Sequence, residues 1–363
     1  MPAKKKVTTK MIAEHIGMSQ STVSMILSNK PHVSFSQETK EKVLNAAKEL
    51  GYEKTKKKTE DEQSKLQKTI MILCPILSNQ YYSIAIHSIT ERAREYGYQT
   101  LVAPTMRDSS IEASYLNLFS QLNLCGIIYL YPPTMVEKAN ALSHQVPMVS
   151  IGDKAPDSRF DSVELDSKKP GFLIGEHLIE LGHERITYIS TPISDTEVGR
   201  ISRLTGLKRA FRIHGYPEDN VKLVCADAKT ASAYSSNTFE YNCGYDLTVQ
   251  VLKNKTRSTA FIGNNDMTAL GIMAALTDYG YRIPQDYSVC GFDNISLASS
   301  PQISLTTVEH ASEIKGYEAV DLIHKKNLTK KKAKESHYNY IMRLEYEPEL
   351  IVRRSSGKCR RKS

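Results

Sequence analysis

The sequence predicts an all-α helix-turn-helix head and an α/β body made of two doubly wound parallel-sheet subdomains. Three observations favour this architecture. Two short helical patterns separated by a glycine come near the start of the chain. A strongly polar segment follows them, and short β-branched runs then alternate with helical stretches, which is typical of parallel sheets covered by helices. The predicted domains are a head (1–55), a polar linker (56–67), a two-lobed body (68–352) and a basic tail (353–363).

The first two helices of the head share one apolar face. Its residues recur at helical spacing and are Met11, Ile12, Ala13, Ile16, Val23, Ile26 and Leu27. Gly17 separates the helices, Thr8 or Thr9 can cap the first, and Ser19 can cap the second, since a side-chain oxygen there accepts an otherwise unpaired backbone N–H. This order places the second helix where a major groove can receive it.

A third helix completes a small core. Ser34 and Gln37 have the spacing of a capping box, and Gly51 has the position of a helix-ending glycine. The inner stripe of this helix is Val43, Ala46, Ala47 and Leu50. The residues of the second helix that point outward are Gln20, Ser21, Ser24, Met25 and Ser28. They suit contacts with bases or phosphates, although small polar residues also make an ordinary solvated helix face.

The charge of +8 is unevenly distributed. Residues 1–68 carry 14 Lys against 8 acidic residues, and the last eleven residues carry six Lys or Arg and no acid. The middle of the chain is acidic, with a net charge of −4. Basic ends around an acidic body favour a head that meets phosphate and a body that binds something else, while lysine runs also serve solubility alone.

Several functional classes lack their sequence signals. The N-terminus shows no secretory pattern and no segment is apolar for long enough to cross a bilayer, so we expect a cytoplasmic protein without a membrane partner. The six cysteines form no CxxC pair, which predicts buried or inert thiols and no metal site. We find no Walker loop, GxGxxG, HExxH or GxSxG, and therefore predict no cofactor, no catalytic residue and no enzyme. The alternatives are a sugar-binding sensor or an α/β enzyme without specific DNA binding, and a transport binding protein, which would need an export signal.

The sequence of the body predicts a ligand cleft. Its β-branched runs are residues 69–76, 99–102, 126–130, 148–151, 186–189, 260–262, 288–291 and 305–308. One sheet would be oversized for this length, so we expect two subdomains with a cleft between them, at the carboxyl ends of the strands. Asp153, residues 264–266 and Asp293 follow predicted strands. Helix capping would also place Asp or Asn there, and for Asp266 we favour capping.

Residues 7–24, with 31–34 and 50–52, resemble the head of the lactose-repressor (LacI/GalR) family, whose pattern is V-T-hydrophobic-x-D-V-A-x-x-A-G-V-S-x-x-T-V-S. The resemblance implies base reading by Gln20 and Ser21. The phosphate contacts that it implies are Thr8, Ser19, Thr22, Ser24 and Ser34, with Asn29 and His32 at the edge. Met25 and Ser28 replace the usual Arg and Asn, so Met25 would contact a thymine methyl.

The linker departs from the family pattern P-N-x-x-A-x-x-L, in which the leucine of a hinge helix enters the minor groove. Lys57 and Asp61 stand at the Ala and Leu positions, and Leu66 is the one apolar candidate nearby. We therefore expect the leucine wedge to be absent or displaced. The lysines at 54 and 56–58 could contact phosphates or belong to a solvated spacer.

The resemblance extends over residues 175–186, 263–271, 283–293, 305–308 and 349–354 of the body, and implies the periplasmic-binding-protein type of fold. It implies effector anchoring by Arg203, Asn265 and Asp293, with Tyr82 and Phe239 as aromatic walls and Tyr81 beside them. We add Asp153 to the predicted effector residues because it follows a predicted strand. The resemblance implies a homodimeric transcriptional repressor of operator DNA, controlled by a small-molecule effector that we expect to be a sugar or sugar derivative. A long loop at 228–236 leaves the effector's identity open.

Overall fold

The structure is a computed structural model that describes residues 7–28, 35–52, 68–153, 155, 157–193, 198–227, 238–332 and 340–360. Its contacts divide the chain into two units, Met1–Gln63 and Ser64–Ser363. The predicted linker 56–67, the loop 228–236, and Asn29, His32 and Ser34 lie outside the described residues.

The described residues of the first unit form three helices, α1 (Thr9–Ile16), α2 (Gln20–Ser28) and α3 (Gln37–Glu49). Their shared core consists of the buried side chains of Ile12, Ala13, Val23, Val43, Ala46 and Ala47. The predicted helix-turn-helix head is therefore confirmed. Met11 is an exception to the predicted apolar face, because it is 41% exposed.

Local hydrogen bonds end these helices as the sequence predicts. Thr8 Oγ1 accepts from the backbone N–H of Met11 at 3.3 Å, and Ser19 Oγ accepts from that of Thr22 at 3.1 Å. Gly17 ends α1 with a φ of +67°, a conformation that costs a glycine little. The capping box predicted from Ser34 is wrong.

The residue that caps α3 is Ser36, whose Oγ accepts from the N–H of Thr39 at 3.3 Å. Because Ser34 and Ser36 are both short hydroxyl residues before the same helix, their spacing from the helix start alone does not decide between them.

The second unit has two lobes. Lobe 1 is a six-stranded sheet with helices on its faces, and its helices are α4 (Gln80–Glu95), α5 (Ser109–Phe119), α6 (Val136–Ser143) and α11 (Ser312–Lys332). Its strands are β1 (Thr69–Cys74), β2 (Gln99–Pro104), β3 (Gly126–Tyr129), β4 (Met148–Asp153), β5 (Asp161–Leu165) and β11 (Arg343–Glu345). The strand order is β11-β5-β4-β3-β1-β2 and all pairs are parallel.

Lobe 2 repeats this plan, and the part of it that the structure describes has four α-helices, α7 (Lys168–Glu180), α8 (Val198–Ile213), α9 (Phe239–Lys253) and α10 (Asp266–Asp278). Its strands are β6 (Ile186–Ser190), β7 (Val221–Cys225), β8 (Ala260–Gly263), β9 (Ser288–Cys290), β10 (Thr307–Glu309) and β12 (Glu349–Ile351). The parallel order is β7-β6-β8-β9, and β10 pairs with β12 antiparallel. Short 3₁₀ turns occur at Glu218–Asn220 and Ser296–Ser299.

Both sheets are covered on two faces, as a doubly wound fold requires. In β1, Ile70 and Ile72 belong to one buried cluster and Met71 and Leu73 to another, because successive strand residues point to opposite faces. The predicted pair of doubly wound parallel sheets is therefore confirmed. Three chain segments join the lobes, after β5, after β10 and after β11.

Strand β5 was not among the predicted strands. Every residue of Asp161–Leu165 is buried, yet three of the five are polar or charged. Partners distant in sequence make this possible: Arg343 Nη1 lies 2.8 Å from Glu164 Oε1, and Lys326 Nζ lies 3.3 Å from Asp161 Oδ1. A buried carboxylate needs such a partner, and the local sequence does not show it.

Glycines let α7 and α8 approach closely. A Cβ on Gly171 or Gly206 would overlap backbone atoms of the other helix, and a Cβ on Gly175 would lie 2.6 Å from the Cβ of Ala210. This contact explains the glycines at 171, 175 and 206, and it sets the position of α8 against the rest of lobe 2.

The predicted basic tail is part of lobe 2 as far as residue 360. Ser355 is buried, its carbonyl oxygen accepts from Val289 N at 2.8 Å, and Cys359 N donates to Leu181 O at 2.8 Å. Four of the six cysteines are buried, and burial raises the pKa of Cys74 to about 11, but Cys225 is exposed. Within the described ranges, no helix is both long and apolar enough to cross a membrane.

Candidate functional site

The polar end of α2 is one candidate site. Its exposed residues, with the cap of α1, are Thr8, Ser19, Gln20, Ser21 and Ser24. Thr22 and Met25 are half-buried, and the side chain of Ser28 lies outside the described part of the chain, as do Asn29, His32 and Ser34. The structure thus presents the two predicted base-reading residues, whereas Met25 offers only part of its surface.

Hydroxyl groups cluster where α2 begins. Ser19 Oγ lies 2.8 Å from Ser21 Oγ and 2.8 Å from Thr22 Oγ1, while Gln20 Nε2 donates to Thr9 Oγ1 at 3.4 Å. A helix N-terminus has unpaired N–H groups and a partial positive charge, which favour a phosphate oxygen. The exposed Gln20 amide can both donate and accept, as the edge of an adenine requires.

A second candidate site is the cleft between the lobes of the body. Strand ends and helix N-termini from both lobes surround it, as expected for ligands of doubly wound sheets. The residues that line it are Asn79, Tyr81, Tyr82, Arg107, Leu130, Tyr131, Pro132, Gly152, Asp153, Leu165, Ser167, Val198, Gly199, Arg200, Arg203, Glu240, Asn264, Asn265 and Asp293. Six of the seven predicted effector residues are in this set.

Arg203, on α8, organises one side of the cleft. Its Nη2 lies 3.4 Å from Asp293 Oδ1 and 3.4 Å from His310 Nε2, and its Nη1 donates to the carbonyl oxygen of Asn264. The guanidinium carbon lies 4.8 Å from the centre of the Phe292 ring. These contacts hold the guanidinium in one orientation, so that its remaining edge can donate to a ligand.

Asp293 follows β9 with a φ of +115°, an unusual value for a residue other than glycine. Such strain costs about 1–3 kcal/mol and is common at ligand sites. Burial raises the pKa of Asp293 well above its usual range, against the opposing effect of Arg203. Burial, with Arg203 and Lys315, also lowers the pKa of His310, so the imidazole beside this pair is neutral.

Aromatic and carboxylate groups from lobe 1 face this cluster. The Tyr81 and Tyr82 rings meet edge to face with centres 5.2 Å apart. Asp153 ends β4, and its Oδ1 accepts from the backbone N–H of Ser167 at 3.3 Å. Burial raises the pKa of Asp153. The cleft therefore combines aromatic surface with fixed donors and acceptors, which is the chemistry that binds polyhydroxylated ligands.

Glu240 bridges the lobes. Asn79 Nδ2, from lobe 1, donates to Glu240 Oε2 at 2.8 Å, and Asn265 Nδ2, from lobe 2, donates to Glu240 Oε1 at 2.7 Å. Burial raises the pKa of this carboxyl, and the positive charge of Arg200 opposes the effect. Glu240 lies at the start of α9, where the sequence analysis selected Phe239 instead.

Two sequence predictions change here. Phe239 is not among the cleft residues, because it packs against the core of lobe 2, while its neighbour Glu240 lines the cleft. Asp266 does not cap α10. The cap is Asn265, whose Oδ1 accepts from Thr268 N at 2.9 Å, whereas Asp266 accepts from Thr307 Oγ1 at 2.6 Å and Ile295 N at 2.9 Å.

The polar cleft residues that the sequence analysis also missed include Asn79, Arg107 and Arg200. Asn79 and Arg107 follow the first two strands of lobe 1, so the rule that found Asp153 could have found them. Arg200 stands one helical turn before Arg203 on α8, and this i, i+3 spacing was the available signal.

Two family models match separate parts of the chain. The model of bacterial regulatory proteins of the lacI family matches residues 8–54, and that of the periplasmic binding protein-like domain matches residues 176–356. The HTH-type transcriptional regulator DegA of Bacillus subtilis is 29% identical over 356 residues, which cover 97% of this chain and 98% of that protein. The HTH-type transcriptional repressor PurR of Mannheimia succiniciproducens is 28% identical, covering 97% and 99%.

Solved structures show the same fold. A LacI family transcriptional regulator from Enterococcus faecium with bound ribose has a TM-score of 0.65 at 24% identity, covering 80% of this chain and 99% of that one. The complex of the transcriptional regulator CelR with cellobiose has a TM-score of 0.65 at 22% identity, covering 97% and 100%. The chain belongs to the lacI family of DNA-binding transcriptional regulators, with a helix-turn-helix domain followed by a periplasmic-binding-protein-like effector domain.

Proposed function

We propose that this regulator is a cytoplasmic repressor that binds a pseudopalindromic operator as a homodimer and responds to a sugar or sugar derivative in the interlobe cleft. The main support for this proposal is the chemistry of the residues that line the cleft. Arg203, Asn265 and Asp293 supply donors and acceptors on one side, and Tyr81 and Tyr82 supply aromatic surface on the other. Sugar hydroxyls require both hydrogen-bonding roles, and the apolar face of a sugar ring packs on an aromatic side chain.

The bound ligands of two structural relatives support a carbohydrate, since ribose and cellobiose occupy the regulators from Enterococcus faecium and CelR. In the present chain the effector would contact both lobes, because lobe 1 contributes Tyr81, Tyr82 and Asp153 and lobe 2 contributes Arg203 and Asp293. A ligand that contacts both lobes stabilises a closed cleft, and that difference in affinity is what shifts operator binding.

Operator recognition would use Gln20 and Ser21 for bases, with Thr8, Ser19, Thr22 and Ser24 at phosphates. A pair of heads one DNA turn apart, roughly 34–36 Å, reads a pseudopalindrome, which requires a twofold dimer.

The body offers a face for that dimer. Leu101 on edge strand β2 is 53% exposed, Met106 in the following turn is 58% exposed, and Ile111 and Leu118 on α5 are also exposed. An uncovered apolar edge strand is a liability in a monomer, and a second copy of the same face would cover it.

The test is selection of genomic DNA fragments by the purified protein at near-physiological salt, followed by sequencing. Recovery of a palindromic motif supports the proposal, and a Gln20→Ala variant should broaden that motif. Sugars tested for release of that DNA then identify the effector class. Failure to recover any motif would contradict operator recognition, and a monomeric mass in analytical ultracentrifugation with operator DNA present would contradict the dimer.

A further inference from the structure

Arginines from both lobes reach the cleft. Arg107 comes from the turn after β2 in lobe 1, and Arg200 and Arg203 come from α8 in lobe 2. Arg203 is engaged by Asp293, as described above. Arg200 Nη1 donates to the carbonyl oxygen of Pro192 at 2.6 Å. Arg107 and Arg200 therefore add two fixed positive charges to the lining of the cleft beside Arg203.

The backbone around Arg107 is strained. Met106 and Arg107 have φ values of +52° and +54°, consecutive left-handed conformations in residues other than glycine. Each costs about 1–3 kcal/mol and persists only where the surrounding structure requires it. Here Arg107 Nη2 donates to Tyr82 Oη at 3.1 Å, and its guanidinium carbon lies 5.7 Å from the centre of the Tyr131 ring. The strain therefore holds a guanidinium between two tyrosines at the cleft wall.

Arg107 and Arg200 line the same cleft from opposite lobes. The positive charges of both guanidinium groups oppose the rise in the pKa of Glu240, Arg200 from the same lobe and Arg107 from the other. Glu240 already accepts amide hydrogens from Asn79 and Asn265. One carboxylate with two guanidinium groups leaves this part of the cleft lining positive.

The lining of the whole cleft carries equal numbers of both charges. Its carboxylates are Asp153, Glu240 and Asp293, and its cations are Arg107, Arg200 and Arg203. These charges cancel if all three carboxylates are ionised. Burial raises the pKa of each of the three, which makes the empty cleft more positive.

Two buried cations of this region have donors without an acceptor. Arg203 Nε and Lys315 Nζ form no hydrogen bond within the described residues, and of these two residues Arg203 lines the cleft. A buried charged donor without an acceptor is costly, and natural structures retain few of them. Acceptor oxygens on a ligand beside Arg203 would remove part of that cost.

We propose that the effector is an anionic sugar derivative whose phosphate or carboxylate binds between Arg107 of lobe 1 and Arg200 of lobe 2. The sugar hydroxyls then contact Arg203, Asn265 and Asp293. This inference rests on the proposed function, because it assigns a chemical class to the effector of the same cleft. An anion that bridges cations of opposite lobes also favours the closed cleft.

The test uses the full-length protein in a buffer without phosphate or sulfate. Thermal unfolding and calorimetry are measured with inorganic phosphate, D-ribose, D-ribose 5-phosphate and D-ribonate. We expect inorganic phosphate to raise Tm, and D-ribose 5-phosphate or D-ribonate to bind more tightly than D-ribose. The comparison of these two anions distinguishes a phosphate ester from a sugar acid.

Three variants locate the binding. Arg107→Gln should weaken phosphate binding about tenfold or more, since it removes one partner of a charge pair. Glu240→Gln should strengthen it, because the competing carboxylate is gone. Arg282→Gln is the matched control, since Arg282 is 74% exposed and pairs with Asp286 away from the cleft. Arg282→Gln should bind phosphate as the wild type does. Because the head is unchanged in all three variants, any phosphate bound by the head contributes equally to each measurement.

The outcomes separate this inference from the proposed function. If inorganic phosphate leaves Tm unchanged, or if Arg107→Gln and Arg282→Gln respond alike, the anion site is refuted. If neutral sugars release the operator while their anionic derivatives bind no more tightly, the proposed function stands and this inference falls. If no operator motif is recovered, the proposed function itself falls, whatever phosphate does.

Discussion

The close packing of α7 on α8 predicts that Gly175→Ala destabilises lobe 2 and that Ala210→Gly rescues it. The added methyl carbon would lie 2.6 Å from the Cβ of Ala210, whereas ordinary contact begins near 3.4 Å, so the helices must part by about 0.8 Å. Overpacking of this kind costs about 1–3 kcal/mol. The higher helix propensity of alanine over glycine offsets about 1 kcal/mol of this cost. Because an overlap of about 0.8 Å is severe, we take the upper half of the overpacking range, about 2–3 kcal/mol, and expect a net loss of about 1–2 kcal/mol.

Ala210→Gly alone should also destabilise the lobe, by about 2 kcal/mol, through lost helix propensity and one lost buried methyl group. In the double variant the methyl group has moved from α8 to α7 within the same contact. Its stability should then lie within about 1 kcal/mol of the wild type instead of at the sum of the two losses. Because α8 carries Arg200 and Arg203, the single variant should also weaken effector binding.

Urea unfolding of the four proteins gives the coupling energy directly. Equal unfolding midpoints for Gly175→Ala and the wild type would refute the packing argument. Strict additivity of the two substitutions would refute the claim that their methyl groups compete for one space.

Three further predictions concern the head, the cleft and a buried carboxyl. Gln20→Ala should reduce the preference for the selected operator over random DNA, by about 1–3 kcal/mol, and leave the salt dependence of binding unchanged in a titration. Asp293→Ala should abolish operator release by the effector while DNA affinity without effector is retained; unchanged release would contradict the role of Asp293. Burial raises the pKa of Asp266 to about 7 from an ordinary 3.8, so the folded state holds the proton. The stability from that proton is complete below about pH 4 and is lost as the pH rises through 7. Between pH 6 and 9 the wild type should lose about 1.4 kcal/mol more than Asp266→Asn in urea unfolding, and parallel pH profiles would contradict the assignment.

Local sequence determined the head and the order of most strands. Thr8, Gly17 and Ser19 act on backbone groups within a few residues, so their roles can be read without knowing the fold. Seven of the eight β-branched runs correspond to strands of the two parallel sheets and the last, 305–308, to β10 of the antiparallel pair, since an apolar run must be buried wherever it lies.

Part of the cleft was also predictable. Parallel strands bring their carboxyl ends to one edge of a sheet, which is why Asp153 and Asp293 were expected there and lie there. The family resemblance supplied Arg203 and Asn265. Neither source selected Glu240 over Phe239, because adjacent helix residues differ by about 100° in direction and the helix orientation is set by packing.

Tertiary structure alone decided the charges and the polar strand. Asp161 and Glu164 are buried in β5 because Lys326 and Arg343, more than 160 residues away in the chain, supply the opposite charges. Glu240 is likewise held by partners from other parts of the chain, because the side-chain amides of Asn79 and Asn265 donate hydrogen bonds to it from the two lobes. Helix caps and apolar runs satisfy themselves within a short segment. A buried polar group is stable only with its partner in place, and that partner is fixed by the folded chain.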